Sequence, residues 1–210
     1  MSFFVENNSQ ERKFKNVPAG VHLARCYRII DVGSHKVEFK GETKVQRKVM
    51  LGWELFGEDD EGNPLTTDDG KPMAMFKNYT LSWAEMSTLR KDLQAWRGKP
   101  WSDAEAKRFD LKSILNSYCM LNVIHREFNG NVYANVSAIS PVPSLIKQAG
   151  LPKPINANQV FTLAEPDMVL FETFGKGLKE KIMNSPEWTM YEGRNKKGSV
   201  VDDMSSDVPF

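Results

Sequence analysis

The chain has 210 residues, a net charge of +1, 40% hydrophobic and 26% charged residues, which fits one globular domain with appendages. No apolar run is long enough to cross a bilayer, and the first residues lack the basic and apolar regions of a secretory signal, so a cytoplasmic protein without a membrane partner is expected. Cys26 and Cys119, with His22, His35 and His125 scattered along the chain, make neither a disulfide framework nor a metal-ligand spacing, and no metal or cofactor is expected.

In chain order, residues 1–16 are polar and read as a flexible arm. Residues 20–32 carry the β-branched and aromatic content of a strand ended by Gly33. Residues 33–44 read as a polar connection with Lys36, Lys40 and Lys44. Residues 45–56 alternate, with Val45, Val49, Leu51, Trp53 and Leu55 on one side and Gln46, Lys48, Met50 and Glu54 on the other. An acidic, turn-rich loop follows over 57–72, and 73–81 form a third strand. Ser82 and Glu85 have capping-box spacing, stapled by Leu81 and Met86, ahead of the helical stripe Met86, Leu89, Leu93 and Trp96 that Gly98 and Pro100 end. A second capping box, Ser102 to Glu105, opens a short helix, and 110–115 add another turn. Strands 118–128 and 132–139 flank the turn Asn129-Gly130-Asn131.

Three strands, a helical insert and two strands are the element order of an OB-fold, a five-stranded Greek-key barrel. The expected organisation is an N-terminal arm (1–16), a mainly β OB-fold domain (17–141), a Pro-punctuated extension with a short basic helix (142–190), and a disordered acidic tail (191–210).

The charge is uneven. The loop 57–72 and the last ten residues hold nine acids and one Lys, so the remainder carries +9. A basic body suits a polyanion. A single-stranded nucleic-acid site needs cations for phosphates and aromatic faces for bases. The elements that form the oligonucleotide surface of an OB-fold carry Lys36, Lys40, Lys48, Phe76, Lys77, Tyr79, Arg126, Phe128 and Tyr133. Period two forbids Phe76 and Tyr79 from sharing a face: with Tyr79 inward, Phe76 points out. Trp53 and Trp96 fall on core stripes, and Trp101 reads as a staple. In the tail, Asp202, Asp203 and Asp207 precede Pro209 and Phe210, chemistry that suits an aromatic anchor in a pocket with a basic rim on a partner protein.

No phosphate-binding loop, dinucleotide fingerprint or nucleophile elbow is present, so no enzyme is expected. The alternatives are a metal-dependent nuclease using the acidic loop and a protein-interaction adaptor.

The ending Asp202-Asp203 … Asp207-Val-Pro-Phe210 resembles the acidic terminus of bacterial single-stranded DNA-binding proteins, with Met-Ser-Ser interrupting the acidic run. The segments Tyr79-Thr-Leu-Ser, Leu89-Arg-Lys-Asp-Leu-Gln-Ala-Trp-Arg-Gly98, Phe109-Asp-Leu and Cys119-Met-Leu-Asn-Val-Ile-His125 are similar to a family of bacteriophage single-stranded DNA-binding proteins with an OB-fold. The resemblance covers about 18–141 and the tail. It implies a protein that coats exposed DNA strands in the host cytoplasm during phage replication or recombination and recruits enzymes through its tail. A homo-oligomer is left open as a further partner, since the residues do not distinguish monomer, dimer and tetramer.

Overall fold

The computed structural model describes residues 16–39 and 41–193. Residues 1–15 of the expected arm 1–16, Lys40 and the tail residues Asp202, Asp203, Asp207, Pro209 and Phe210 lie outside the described residues. The protein is mainly β: β1 (Gly20–Phe39), β2 (Glu42–Phe56) and β3 (Ala74–Thr80) precede helices α1 (Thr88–Arg97) and α2 (Asp103–Lys107) and a 3-10 turn, Leu111–Ile114. Strands β4 (Tyr118–Phe128) and β5 (Asn131–Ser140) follow, then α3 (Ser144–Ala149), β6 (Gln159–Phe161), α4 (Met168–Glu172) and α5 (Lys176–Met183). None of the helices among the described residues is long and apolar enough to cross a membrane.

The sheet runs β3-β2-β1-β4-β5, all antiparallel, with β6 added parallel to β1. It is open, and the closed barrel expected from element order is not formed. β3 and β5 come into contact without a ladder between them, and α1 lies against both. The buried Leu89, Leu93 and Trp96 of α1 join the sheet core there, so side-chain packing rather than backbone pairing seals that side.

β1 explains most of the remaining geometry. It pairs with β2 along its length, while its other edge pairs with β4 over Gly20–Arg25 and with β6 over Arg28–Ile30. The register slips at Tyr27 and at Val32. Such bulges bend a strand; the first falls where β1 exchanges β4 for β6 along one edge, and the second just past the end of the β6 pairing. Gly33, at φ +85°, follows the second bulge, and a β-carbon there would meet the Ser185 side chain at 2.3 Å. Glycine therefore continues the strand. The expected polar connection over 33–44 is a two-stranded ribbon, in which Lys36 faces Val45 and Val37 faces Lys44. Val45, expected in the core, is exposed because the ribbon reaches beyond the packed layers.

Two apolar cores sit on opposite faces of β1 and β2. The first contains Leu51, Trp53, Leu55, Tyr79, Leu93, Trp96, Leu121 and Val123. The second joins Ile30, Val32 and Met50 to Phe161, Leu163, Phe171, Phe174, Ile182 and Trp188, so the extension covers part of the sheet's outer face. The first helix also begins later than its sequence suggests. Ser87, not Ser82, caps α1 by accepting from Arg90 N–H, and Leu81 and Met86 are exposed rather than stapled. Ser87 Oγ donates to the Ser82 carbonyl, which holds 82–87 in a turn. The Ser102–Glu105 capping box forms as expected, and Asn129 and Gly130, both at positive φ, make the β4–β5 turn.

A buried ion pair fastens the extension down. Arg25 is 1% exposed and Glu54 0%, with Arg25 Nε donating to Glu54 Oε1 at 2.6 Å. Arg25 also donates to Asn116 and Asn158 Oδ1 and to the Asn156 carbonyl. Glu54 accepts from the Ile155 and Asn156 N–H groups and from Asn156 Nδ2. Burial alone would raise the Glu54 pKa, but these donors outweigh it and hold the carboxyl below its usual range.

Removing one charge strands the other, so Glu54→Gln should cost about 3–5 kcal/mol in urea unfolding at neutral pH. Because the folded pKa is depressed, this stabilisation is complete above the unfolded value of about 4.3 and is lost as pH falls through the folded one. The gap between wild type and variant should narrow on acidification; a constant or widening gap contradicts the account.

Candidate nucleic-acid interface

Registered residues of neighbouring strands share a face, so the outer face of β1, β2 and β3 can be read as rows. One row is Arg25–Glu54–Ala74, the next Arg28–Gly52–Phe76, and the next Ile30–Met50–Asn78; Lys48 and Thr80 pair in the last. The extension covers the first row through Ile155–Asn158 and the β1–β2 half of the third through the second core. What stays open is the β3 side: Phe76, 40% exposed, and Asn78, with half-buried Lys48 and Thr80 beside them.

Phe76 lies on backbone. A β-carbon at Gly52 would sit 2.7 Å from the Phe76 ring, so only glycine lets the ring come this close to the β2 backbone. The Arg28 guanidinium stands 5.7 Å from the Phe76 centroid, 5.2 Å from Tyr27 and 5.9 Å from Phe174. Its Nε donates to Gln159 Oε1. The result is an exposed aromatic ring with a cation held over it, the two chemistries that a nucleobase and its phosphate call for. Lys48 Nζ donates to Gln46 Oε1 and Thr80 Oγ1 at 2.7 and 2.8 Å. Burial, and then the nearby positive charge of Lys181, lower its pKa; clustered cations of this kind favour an anion.

The other sequence-chosen residues divide. Tyr79 is 3% exposed and donates to Asp92 Oδ2 on α1 at 2.9 Å, and Lys77 donates to the same oxygen at 2.7 Å. Burial, then the Asp92 charge, pushes the Tyr79 phenol far above its ordinary range. Both residues belong to the α1 side of β3, as period two requires once Phe76 points out. Lys36 is exposed on the β1–β2 ribbon. Arg126 and Tyr133 are directly opposed on the β4–β5 hairpin, beside exposed Phe128. In register, that hairpin extends past the Gly20 end of β1, whereas the ribbon extends past the other end. No hydrogen bond, ion pair or ring contact among the described residues links the ribbon, Phe76 and the hairpin to one another. Sequence reasoning left Arg28, Gly52 and Asn78 out of the site and read Lys181 only as part of the extension's short basic helix. An unexplained glycine inside a strand was the one signal that could have exposed the site.

The acidic loop is folded on itself. Asp59 Oδ1 accepts from the Glu61 and Asn63 N–H groups, and Thr67, Asp69 and Lys71 bond together. Asp69 is held down to about 2 by Lys71 and Thr67. No group of three or more His, Cys, Asp or Glu among the described residues is placed to hold a metal. Cys26 and Cys119 are buried free thiols, and burial pushes Cys26 up to about 12.

No protein-family model and no curated protein matches this chain.

If the ring rests on the Gly52 backbone, Gly52→Ala should lose about 1–3 kcal/mol by overpacking. Phe76→Ala in that background should recover part of the loss. Strictly additive losses in denaturant titrations would contradict the contact.

Proposed function

We propose that this protein binds single-stranded DNA, with little sequence preference, across the outer face of β2 and β3. The observation that carries the reading is the Phe76 ring, 40% exposed against the Gly52 backbone with the Arg28 guanidinium 5.7 Å from its centroid. A base can stack on that ring whatever its identity, while Arg28, Lys48 and Lys181 meet the phosphates. Lys36 on the ribbon and Arg126, Phe128 and Tyr133 on the hairpin extend the path at either end.

The strand order supports reading the sheet as an OB-fold opened between β3 and β5, whose strand-two and strand-three face is the oligonucleotide surface. The resemblance to phage single-stranded DNA-binding proteins supports a role in phage replication or recombination, with the acidic segment 201–210 proposed as a docking peptide for partner enzymes. Binding without catalysis is the proposed role.

Anisotropy of a labelled oligothymidylate tests this. Phe76→Ala should weaken binding by about 1–3 kcal/mol, roughly 5- to 150-fold. Lys48→Ala should reduce the slope of log affinity against log salt by about 1. Tyr79→Phe, altered only on the α1 side, should stay within about twofold. Binding indifferent to salt, or to Phe76→Ala, would sink the proposal.

A further inference from the structure

The period of two that turns Phe76 outward also turns Asn78 outward, two residues along β3 on the same face. Asn78 is exposed, and its carboxamide makes no hydrogen bond among the described residues. Its polar neighbours are engaged. Thr80 Oγ1 donates to Gln46 Oε1 at 3.0 Å, and Lys48 Nζ donates to both oxygens. Lys77 and Tyr79, on the opposite face, share Asp92. Arg28 Nε–H is bound to Gln159 Oε1. These bonds fix which way the Gln46 and Gln159 amides point, whereas the Asn78 amide is free to turn end for end.

Trp83, Trp101 and Phe109, which line two cavities beside α1 and α2, pack on one another. Phe76 instead offers an open ring with an unpartnered carboxamide next to it. The α-carbons of residues 76 and 78 lie about 6.6 Å apart along the strand. A hydrogen bond spans about 2.9 Å, so a base lying over the ring covers the remainder and brings its edge to the amide. Every DNA base sets a donor beside an acceptor on its pairing edge: N6–H and N1 in adenine, N4–H and N3 in cytosine, N1–H and O6 in guanine, N3–H and O4 in thymine. A carboxamide also carries one of each, Nδ2–H and Oδ1. Turned one way it complements adenine and cytosine; turned the other, guanine and thymine.

We infer, building on the single-strand binding proposed for this face, that Asn78 engages the pairing edge of the base stacked on Phe76. It accepts all four bases, and only while that edge is free. In a duplex each pairing edge faces its complement, so a paired base leaves the amide without a partner. Tolerance of sequence and selectivity for unpaired strands then share one side chain, beside a ring that supplies stacking.

The test compares, by anisotropy with the full chain, a labelled oligothymidylate and the same oligomer built from N3-methylthymidine. Methylation keeps the phosphates and ring faces and removes the N3–H donor. Wild type should bind the methylated oligomer about tenfold more weakly. Asn78→Ala, its fold checked by circular dichroism, should hold the two oligomers within about twofold of each other. Asn78→Asp presents acceptors alone, which suit the adjacent N1–H and N2–H donors of guanine. It should prefer oligothymidylate with every third base guanine over the matching adenine oligomer by about tenfold, where wild type holds them within about twofold. An equal methylation loss in wild type and Asn78→Ala, no loss in either, or no guanine preference in Asn78→Asp would overturn the inference and leave Phe76-dependent binding standing. Oligothymidylate binding that ignores Phe76→Ala would overturn both.

Discussion

The Arg25–Glu54 pair is the interaction on which the rest depends. Two charges removed from water cost several kcal/mol each, and they are tolerable only because Asn116, Asn156, Asn158 and the Ile155 backbone complete their hydrogen bonds. Most of those partners come from the extension. The pair therefore sets where the chain from 155 to 158 crosses the sheet, and β6 then pairs with β1 immediately beyond it. Everything downstream, including the second core, is placed by that crossing.

The crossing also decides what is left for a ligand. Had the extension lain over β3, the ring of Phe76 would be core and no open aromatic platform would exist on that face. Because it stays over β1 and the β1 side of β2, the uncovered strip is narrow and already charged, with Arg28 held between Gln159 and three rings. Positive charge and an aromatic face are thus brought together by the same covering that stabilises the fold. The cavities by Trp83, Trp101 and Phe109 are different in kind, since their rings are already engaged with one another and with Arg97.

Much of this was legible in the residues. Alternation along 45–56 placed Trp53 in the core, and the Asn-Gly turn and the Ser102–Glu105 box formed where their chemistry demands. The period-two constraint separated Phe76 from Tyr79. Other features depend on contacts that no local pattern carries. Gly33 looks like a strand end, yet its positive φ and its approach to Ser185 are set by a partner 152 residues away. Ser82 has capping-box spacing, but the turn closed by Ser87 starts the helix later. Lys77 and Tyr79 look like ligand groups until Asp92, on α1, is found to engage both. Arg25 and Glu54 are ordinary charges on a strand until their partners in the extension are known.

The claim that bases stack on Phe76 beside Arg28 is tested most directly by NMR of the full chain with a short oligothymidylate. The account predicts the largest shifts at the Phe76 ring protons, the Arg28 Nε–H and the Asn78 side-chain amide, with the indole N–H signals of Trp83 and Trp101 unmoved. Shifts confined to those indoles, with Phe76 and Arg28 unchanged, would contradict it.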